Sequence, residues 1–415
     1  MKHLFVWMHG ASGDARLVGE LATTEPLAGG RFESEFEYAR EWVEDPMAFA
    51  IDPVSLPLRT RGGRFRAEQF DPPLGVFDDA LPDDWGRRLL THALKLEGRK
   101  PYPPEMLSRF NGGGTGALAF SETRAPAGAP AAVPATLKTR SLAALLRSAT
   151  KFESGTLPTN DEFRQLLEGS SRVGGARPKA LLHDDDGEWI AKFPSQVRDG
   201  AHDVVGLEAT CLELARQAGL NTPDSRLQSV GRRRVLLVRR FDTTDQGGRI
   251  HMVSMHTLCK ERPGVFVTSY GEMALVVGKC SGAPAADVAS LFKHMAFNAA
   301  IGNVDDHLKN FWMLVDVAGY RLAPAFDLVP DISGRGDHTL AFQYGLACPT
   351  RDALLAVADE WSVSNAEGIL NQVTAAVGTF SETASKLRVR AGKSLEAVRA
   401  DIQQRVALIS GARAR

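Results

Sequence analysis

The run Asn303-Val304-Asp305-Asp306-His307-Leu308-Lys309-Asn310 constrains this chain more than any other segment. Before it, Val288, Leu291, Phe292, Met295 and Ala299 recur at the spacing of one buried helix face. After it, the apolar residues 311–315 and 320–324 read as the two strands of a hairpin that leads to Asp327. The fold must therefore place helix, polar loop, hairpin and carboxylate in succession. Far upstream, Lys192 ends a strand-like run.

The chain has 415 residues, too many for one compact core, so two or three domains are expected. It is 44% hydrophobic and 24% charged, the composition of an ordinary globular protein. A formal net charge of −1 argues against nucleic acid as the partner of the whole surface. No apolar run is long enough to span a bilayer, and residues 1–7 read as a first strand without the apolar core of a secretion signal. Cys211, Cys259, Cys280 and Cys348 are widely spaced, so free buried thiols in a reducing cytoplasm are expected, with no thiol metal site.

Composition and patterning divide the chain. Residues 1–120 form an α/β unit, in which Phe32, Phe36 and Tyr38 alternate as in a half-buried strand. A helix opens around Trp85 behind Asp83, and the glycines at 112–114 and 116 make a turn into a strand. The Ala/Pro-rich stretch centres a linker at 121–138. Residues 139–254 form a strand-rich unit. Residues 178–182 and 188–193 flank an Asp-Gly turn as a hairpin, with Ile190 and Lys192 on one side and Trp189, Ala191 and Phe193 on the other. A helix at about 203–217 follows, with Val205, Glu208, Leu212 and Ala215 on one face and Gly219 at its end. A second hairpin turns at Gly231-Arg232-Arg233-Arg234. Residues 255–415 are helical, with a late helix marked by Ile369, Leu370, Val373, Val377 and Phe380. The fold class is therefore α+β, with two lobes behind the N-terminal unit.

An Asp followed five positions later by an Asn is the catalytic-loop pattern of protein kinases. Phosphoryl transfer needs phosphates held, their charge neutralised and a nucleophile aimed. Asp305 suits the general base, and Asn310 and Asp327 supply oxygens for magnesium. His307 and Lys309 lie in the same loop and can reach nucleotide. Gly174, Gly175 and Ala176 precede Lys179 and the strand of Lys192, where adjacent glycines let backbone N–H groups approach phosphate. Glu208, on the apolar face of its helix, needs a partner, and Lys192 is the natural one. Arg239 and Phe241, in Val238-Arg239-Arg240-Phe241-Asp242, mark the junction of the two lobes, where adenine would meet the backbone.

At these motifs the chain resembles the HipA-type serine/threonine kinases, the toxin halves of bacterial toxin–antitoxin pairs. Leu56-Pro57-Leu58, Phe77-Asp78-Asp79-Ala80-Leu81-Pro82-Asp83 and Gly116-Ala117-Leu118 extend the resemblance to the N-terminal unit, so it covers nearly the whole chain. The resemblance implies a bilobal protein-kinase-like fold with an extra N-terminal subdomain and an all-α C-terminal lobe. It implies ATP and Mg2+, a protein acceptor such as an aminoacyl-tRNA synthetase, and a small helix-turn-helix antitoxin through which DNA is met only indirectly. It matches Lys192 to the ATP lysine, Asp305 to the base, Asn310 and Asp327 to the metal ligands, and His307 to a nucleotide contact. The family often carries a regulatory serine in the glycine-rich loop. Arg172 stands at that position here, which shifts such a phosphate to Ser171, with Ser170 beside it. A phosphate there would bring roughly −1.5 to −2 charges against those of ATP.

Two other readings use the same residues. A small-molecule kinase would need an acidic acceptor pocket, for which Asp331, Asp337, Asp359 and Glu360 are available. A nucleotide-dependent corepressor would use Arg232, Arg233 and Arg234 against a phosphate backbone. The complete set of Lys192, Asp305, Asn310 and Asp327 favours the kinase.

Overall fold

The computed structural model describes residues 1–26, 31–59, 63–67, 74–95, 102–110, 114–126, 141–156, 158–170, 175–260, 268–343 and 345–411. Most of the expected linker, 127–138, lies outside the described residues, as do Ser171 and Gly174. The chain forms two compact units, Met1–Ser195 with Arg239–Pro263, and Gln196–Val238 with Gly264–Arg415. Helices and strands mix in both.

A five-stranded sheet organises the first unit, in the order Arg64–Arg66, Ser34–Tyr38, Ala15–Thr23, Lys2–His9, Leu118–Ser121. Each neighbouring pair is antiparallel, which corrects the α/β expectation to α+β. Strands that pair antiparallel need no crossover helix between them. Leu4 and Val6, with Val18, Leu21, Phe36, Tyr38 and Phe120, bury almost completely. Phe77, from the short 3-10 helix Gly75–Ala80, sets its ring 5.1 Å from Phe36 and 6.2 Å from Phe120. Each such phenylalanine contributes about 1.5–3 kcal/mol by leaving water. Gly19 is required where two strands meet, since a Cβ there would lie 2.2 Å from the Glu37 carbonyl oxygen.

Helices Leu142–Glu153 and Asn160–Ser170 precede the hairpin of Lys179–Asp184 and Gly187–Lys192. Its faces divide as the alternation requires: Trp189, Ala191 and Phe193 are buried, while Ile190 and Lys192 are partly exposed. Next to this hairpin lies a buried ion cluster. Arg240 donates to both carboxylate oxygens of Asp242, at 2.8 and 2.6 Å, and Glu188 pairs with Arg240 and Arg249 at 3.3 and 3.1 Å. Asp242 also accepts from the Gly116 N–H at 2.8 Å, and Arg240 donates to the Gly114 carbonyl. Burial would raise the Asp242 pKa, but the Arg240 guanidinium beside it holds the carboxyl below its ordinary value. The glycine turn at 114–116 is thus fastened to the Arg-Arg-Phe-Asp segment by charge.

In the second unit, helix Val204–Gln217 starts at Asp203, whose carboxylate accepts from the Gly206 N–H. The expected apolar face understates its burial, since nearly every residue from Val204 to Ala215 is enclosed. Helices Ala366–Gly378 and Phe380–Lys386 pack against it. The single late helix expected through Phe380 is therefore two. Thr379 breaks it, its hydroxyl donating back to the Ala376 carbonyl at 2.8 Å. Nor is residue range 255–415 all-α: Trp312–Asp316 and Gly319–Leu322 pair as the hairpin that the alternation at 311–324 predicts. Helix Pro284–Ile301 is the core of this unit, buried throughout residues 294–301 and packed by Tyr270–Cys280, Ala366–Gly378 and Lys393–Ser410. All four cysteines are free, and only Cys211 is fully buried.

Asp79 offers a test of the first unit. Its carboxylate accepts from the Ser254 N–H at 2.8 Å and hydroxyl at 2.7 Å, and burial pushes its pKa up from 3.8 to about 7. The folded state then keeps a proton that the unfolded chain releases. The stability this contributes is complete below pH 3.8 and lost as pH rises through about 7. Asp79→Asn keeps an oxygen for the Ser254 N–H, turns an N–H to the Ser254 hydroxyl in place of the second acceptor, and removes the titration. The Tm advantage of wild type over Asp79→Asn is expected to shrink from pH 5 to pH 8, as read by thermal melts across that range.

Candidate active site

The loop begins where helix Pro284–Ile301 is forced to stop. Gly302 caps the helix in the left-handed region, at φ 67°, and a Cβ there would lie 2.8 Å from Arg405 Nε. Successive side chains then turn to opposite sides. Asp305 is exposed, and Asp306 is entirely buried. Leu308–Asn310 makes a 3-10 turn, anchored by buried Leu308 and Phe311. Asn310 closes the loop by donating from Nδ2 to the Asp305 carbonyl oxygen at 2.9 Å. An amide facing a carbonyl must present its nitrogen, so Asn310 Oδ1 turns the other way.

Asp306 carries a full set of donors. Its Oδ1 accepts from the N–H groups of Thr339 and Leu340 at 2.8 and 3.3 Å. Its Oδ2 takes the Tyr270 hydroxyl at 2.7 Å and His338 Nδ1 at 3.0 Å. Burial would raise the pKa of this carboxyl, but the hydrogen bonds from His338, Tyr270 and Thr339 outweigh it and hold the group below its ordinary range. Burial drives nearby His294 down to about 4, which leaves its ring neutral against Phe311. Arg335 donates to the Val304 carbonyl, and Thr339 donates to the same oxygen at 2.9 Å.

Asp327 sits at φ +57° in the segment Ala325-Phe326-Asp327-Leu328, whose Ala325 and Leu328 are buried. Asp is among the few non-glycine residues that tolerate this conformation, and such positions cluster at functional sites. The Ala325 N–H donates to the Asn221 carbonyl at 2.7 Å and fixes the segment.

The expected residues divide between the units. Glu208, Asp305, His307, Lys309, Asn310 and Asp327 belong to the second, where Asp305 and Asn310 are in direct contact and Glu208 is buried within its helix. Gly175, Ala176, Lys179, Lys192, Arg239 and Phe241 belong to the first. There Lys179 and Lys192 face each other across the hairpin. Gly175 has φ +99°, and a Cβ on it would meet Lys179 Nζ at 2.1 Å. Its N–H donates to Asp83 at 2.9 Å, so this amide is turned to a carboxylate of its own chain, contrary to the expectation that it faces outward to phosphate. Ser170 is fully buried at the end of its helix, so its hydroxyl could accept a phosphate only after that end opened. Tyr270, His338 and Arg405 escape sequence reading. Asn298, a polar residue in an apolar helix run, is the trace of their network.

Residues 6–121 match the model of the HipA N-terminal domain, and residues 171–381 that of the HipA-like C-terminal domain. The chain belongs to the HipA-like family. The HipA-like C-terminal match takes in every expected site residue from Gly174 to Asp327 and ends before helix Lys393–Ser410. Y4mE of Sinorhizobium fredii, provisionally named a kinase, is 27% identical over 358 residues, 77% of each chain. Y4dM of the same organism, named likewise, is 31% identical over 177 residues, 38% of this chain and 41% of that one. Among solved structures, a HipA chain from Shewanella oneidensis, in a toxin–antitoxin complex with HipB and operator DNA, superimposes with a TM-score of 0.66. It is 18% identical, with 98% of this chain and 100% of that chain covered, and so shares the fold.

The helix cap yields a test of the loop's entry. Gly302→Ala adds a Cβ in the left-handed region and against Arg405. It should cost at least about 1 kcal/mol, read as a lower urea midpoint with an unchanged m-value.

Proposed function

We propose that this chain is an ATP- and Mg2+-dependent serine/threonine protein kinase of the HipA type, acting as a toxin. The observation that carries the reading is the loop itself: Asp305 faces solvent while its neighbour Asp306 is sunk in the core. Asp305 would accept the proton of the acceptor hydroxyl. Magnesium needs hard oxygen ligands and usually takes one or two from protein. The Oδ1 of Asn310, turned away from the Asp305 carbonyl, and the carboxylate of Asp327 fit that need, and the left-handed backbone at Asp327 is consistent with a position kept for function. When bound, the ion would offset the charge of the phosphates. Lys192 would meet the α- and β-phosphates, with Lys179 paired opposite it, and His307 and Lys309 would contact nucleotide.

A protein acceptor, such as an aminoacyl-tRNA synthetase, accords with an Asp305 that lies open to solvent. A small helix-turn-helix antitoxin is proposed as partner, by analogy with the HipB of the Shewanella complex, and contact with DNA would then be indirect. No helix among the described residues is long and apolar enough to cross a membrane.

Incubation of a cell extract with labelled ATP tests the activity. Wild type is expected to label a discrete protein band, and Asp305→Gln to lose that labelling while still binding nucleotide. Equal labelling by both would remove Asp305 from the chemistry. Asp327→Asn should weaken nucleotide binding only when magnesium is present. Equal affinity at every magnesium concentration would exclude Asp327 as a ligand. Expression of wild type should slow growth, and Asp305→Gln should relieve it.

A further inference from the structure

We propose that Arg405, His338 and Tyr270 form a positioning relay that fixes Asp306 and thereby aims Asp305 and Asn310; the proposal rests on the kinase reading above. Arg405 comes from helix Lys393–Ser410, outside the span of the C-terminal family match. Its Nη1 lies 3.3 Å from His338 Nε2. A guanidinium can only donate, so Nε2 accepts. The ring proton is then on Nδ1, which donates to Asp306 Oδ2 at 3.0 Å. His338 thus links a buried cation to a buried carboxylate, one ring nitrogen facing each.

The relay is held at both ends. Arg405 donates from Nε to Asp401 at 2.7 Å and from Nη2 to the Gly336 carbonyl at 3.2 Å, which fixes the guanidinium plane. On the other side, the Tyr270 hydroxyl that donates to Asp306 accepts from Asn298 Nδ2 at 3.1 Å. Asn298 Oδ1 in turn accepts from Asn303 Nδ2 at 3.1 Å. The network therefore grips the loop at its first residue and at its middle. Asp305 and Asp306 are adjacent and face opposite sides, so displacement of one carboxylate turns the other. The Asn310 amide is tied to the Asp305 carbonyl and would follow.

Four variants test this: Tyr270→Phe, Arg405→Met, His338→Leu and His338→Asn. Asn places an N–H where Nδ1 stood, whereas Leu removes the donor. Each is followed by phosphotransfer kinetics, by nucleotide Kd and by hydrogen exchange of the amides at 303–311. Tyr270→Phe, Arg405→Met and His338→Leu should lower kcat by about 10²-fold and change nucleotide Kd by less than about threefold. Amide exchange in the loop should speed up in the same three, and His338→Asn, which keeps a donor for Asp306 but offers no acceptor to Arg405, should fall between His338→Leu and wild type in both. The proposal is overturned if loop exchange is unaltered, if Asn rescues no better than Leu, or if kcat and Kd worsen together with global stability. Wild type that binds nucleotide yet transfers phosphate to nothing would refute the kinase reading alone. Loop exchange would still decide whether the relay holds the loop.

Discussion

A fully buried carboxylate, Asp306, is the constraint around which the second unit is arranged. Removing an ion of this size from water costs several kcal/mol even after relaxation, and hydrogen bonds must return it. Asp306 recovers the cost through two backbone amides, a phenol and an imidazole. Those donors come from helix Tyr270–Cys280 and from residues 338–340, so satisfying one side chain draws distant segments to the loop. Their convergence also dictates where the chain is left open. With Asp306 inward, Asp305 has nowhere to face but out.

The first unit solves a similar problem with opposite charges. Arg240, Asp242 and Arg249, all buried, and the partly exposed Glu188 neutralise one another, and the glycine turn at 114–116 joins through a backbone amide and a carbonyl. In the sequence, Arg-Arg-Phe-Asp reads as a place where nucleotide meets backbone. The structure gives two of its four residues a different task. Removing one member of such a cluster strands its partner as an uncompensated buried charge, typically at a cost of about 3–5 kcal/mol.

Local pattern carried what depends on near neighbours. The alternation at 188–193 puts Trp189, Ala191 and Phe193 on one face because pleating leaves no other choice, and that face is the buried one. Helix Val204–Gln217 is read correctly from its period and from Gly219 at its end, yet its burial on nearly all sides is not, since that depends on helices far along the chain. The same limit applies at the loop. Asp305, Asn310 and Asp327 stand out because their spacing is short. The pairing of Asp306 with His338 spans 32 positions, and that of His338 with Arg405 spans 67, and no periodicity encodes either. The partner of the Gly175 amide is hidden from local pattern for a related reason: its acceptor, Asp83, lies 92 positions earlier.

The position of Arg405 has a practical corollary. Every motif by which this chain is recognised ends before helix Lys393–Ser410 begins. A shortened gene that stopped ahead of that helix would still encode Lys192, Asp305, Asn310 and Asp327, and would pass any inspection by signature. It would nevertheless lack the guanidinium that meets His338, and with it one support of the Asp306 network. The burial of Asp306 thus depends on a segment that none of those signatures contains.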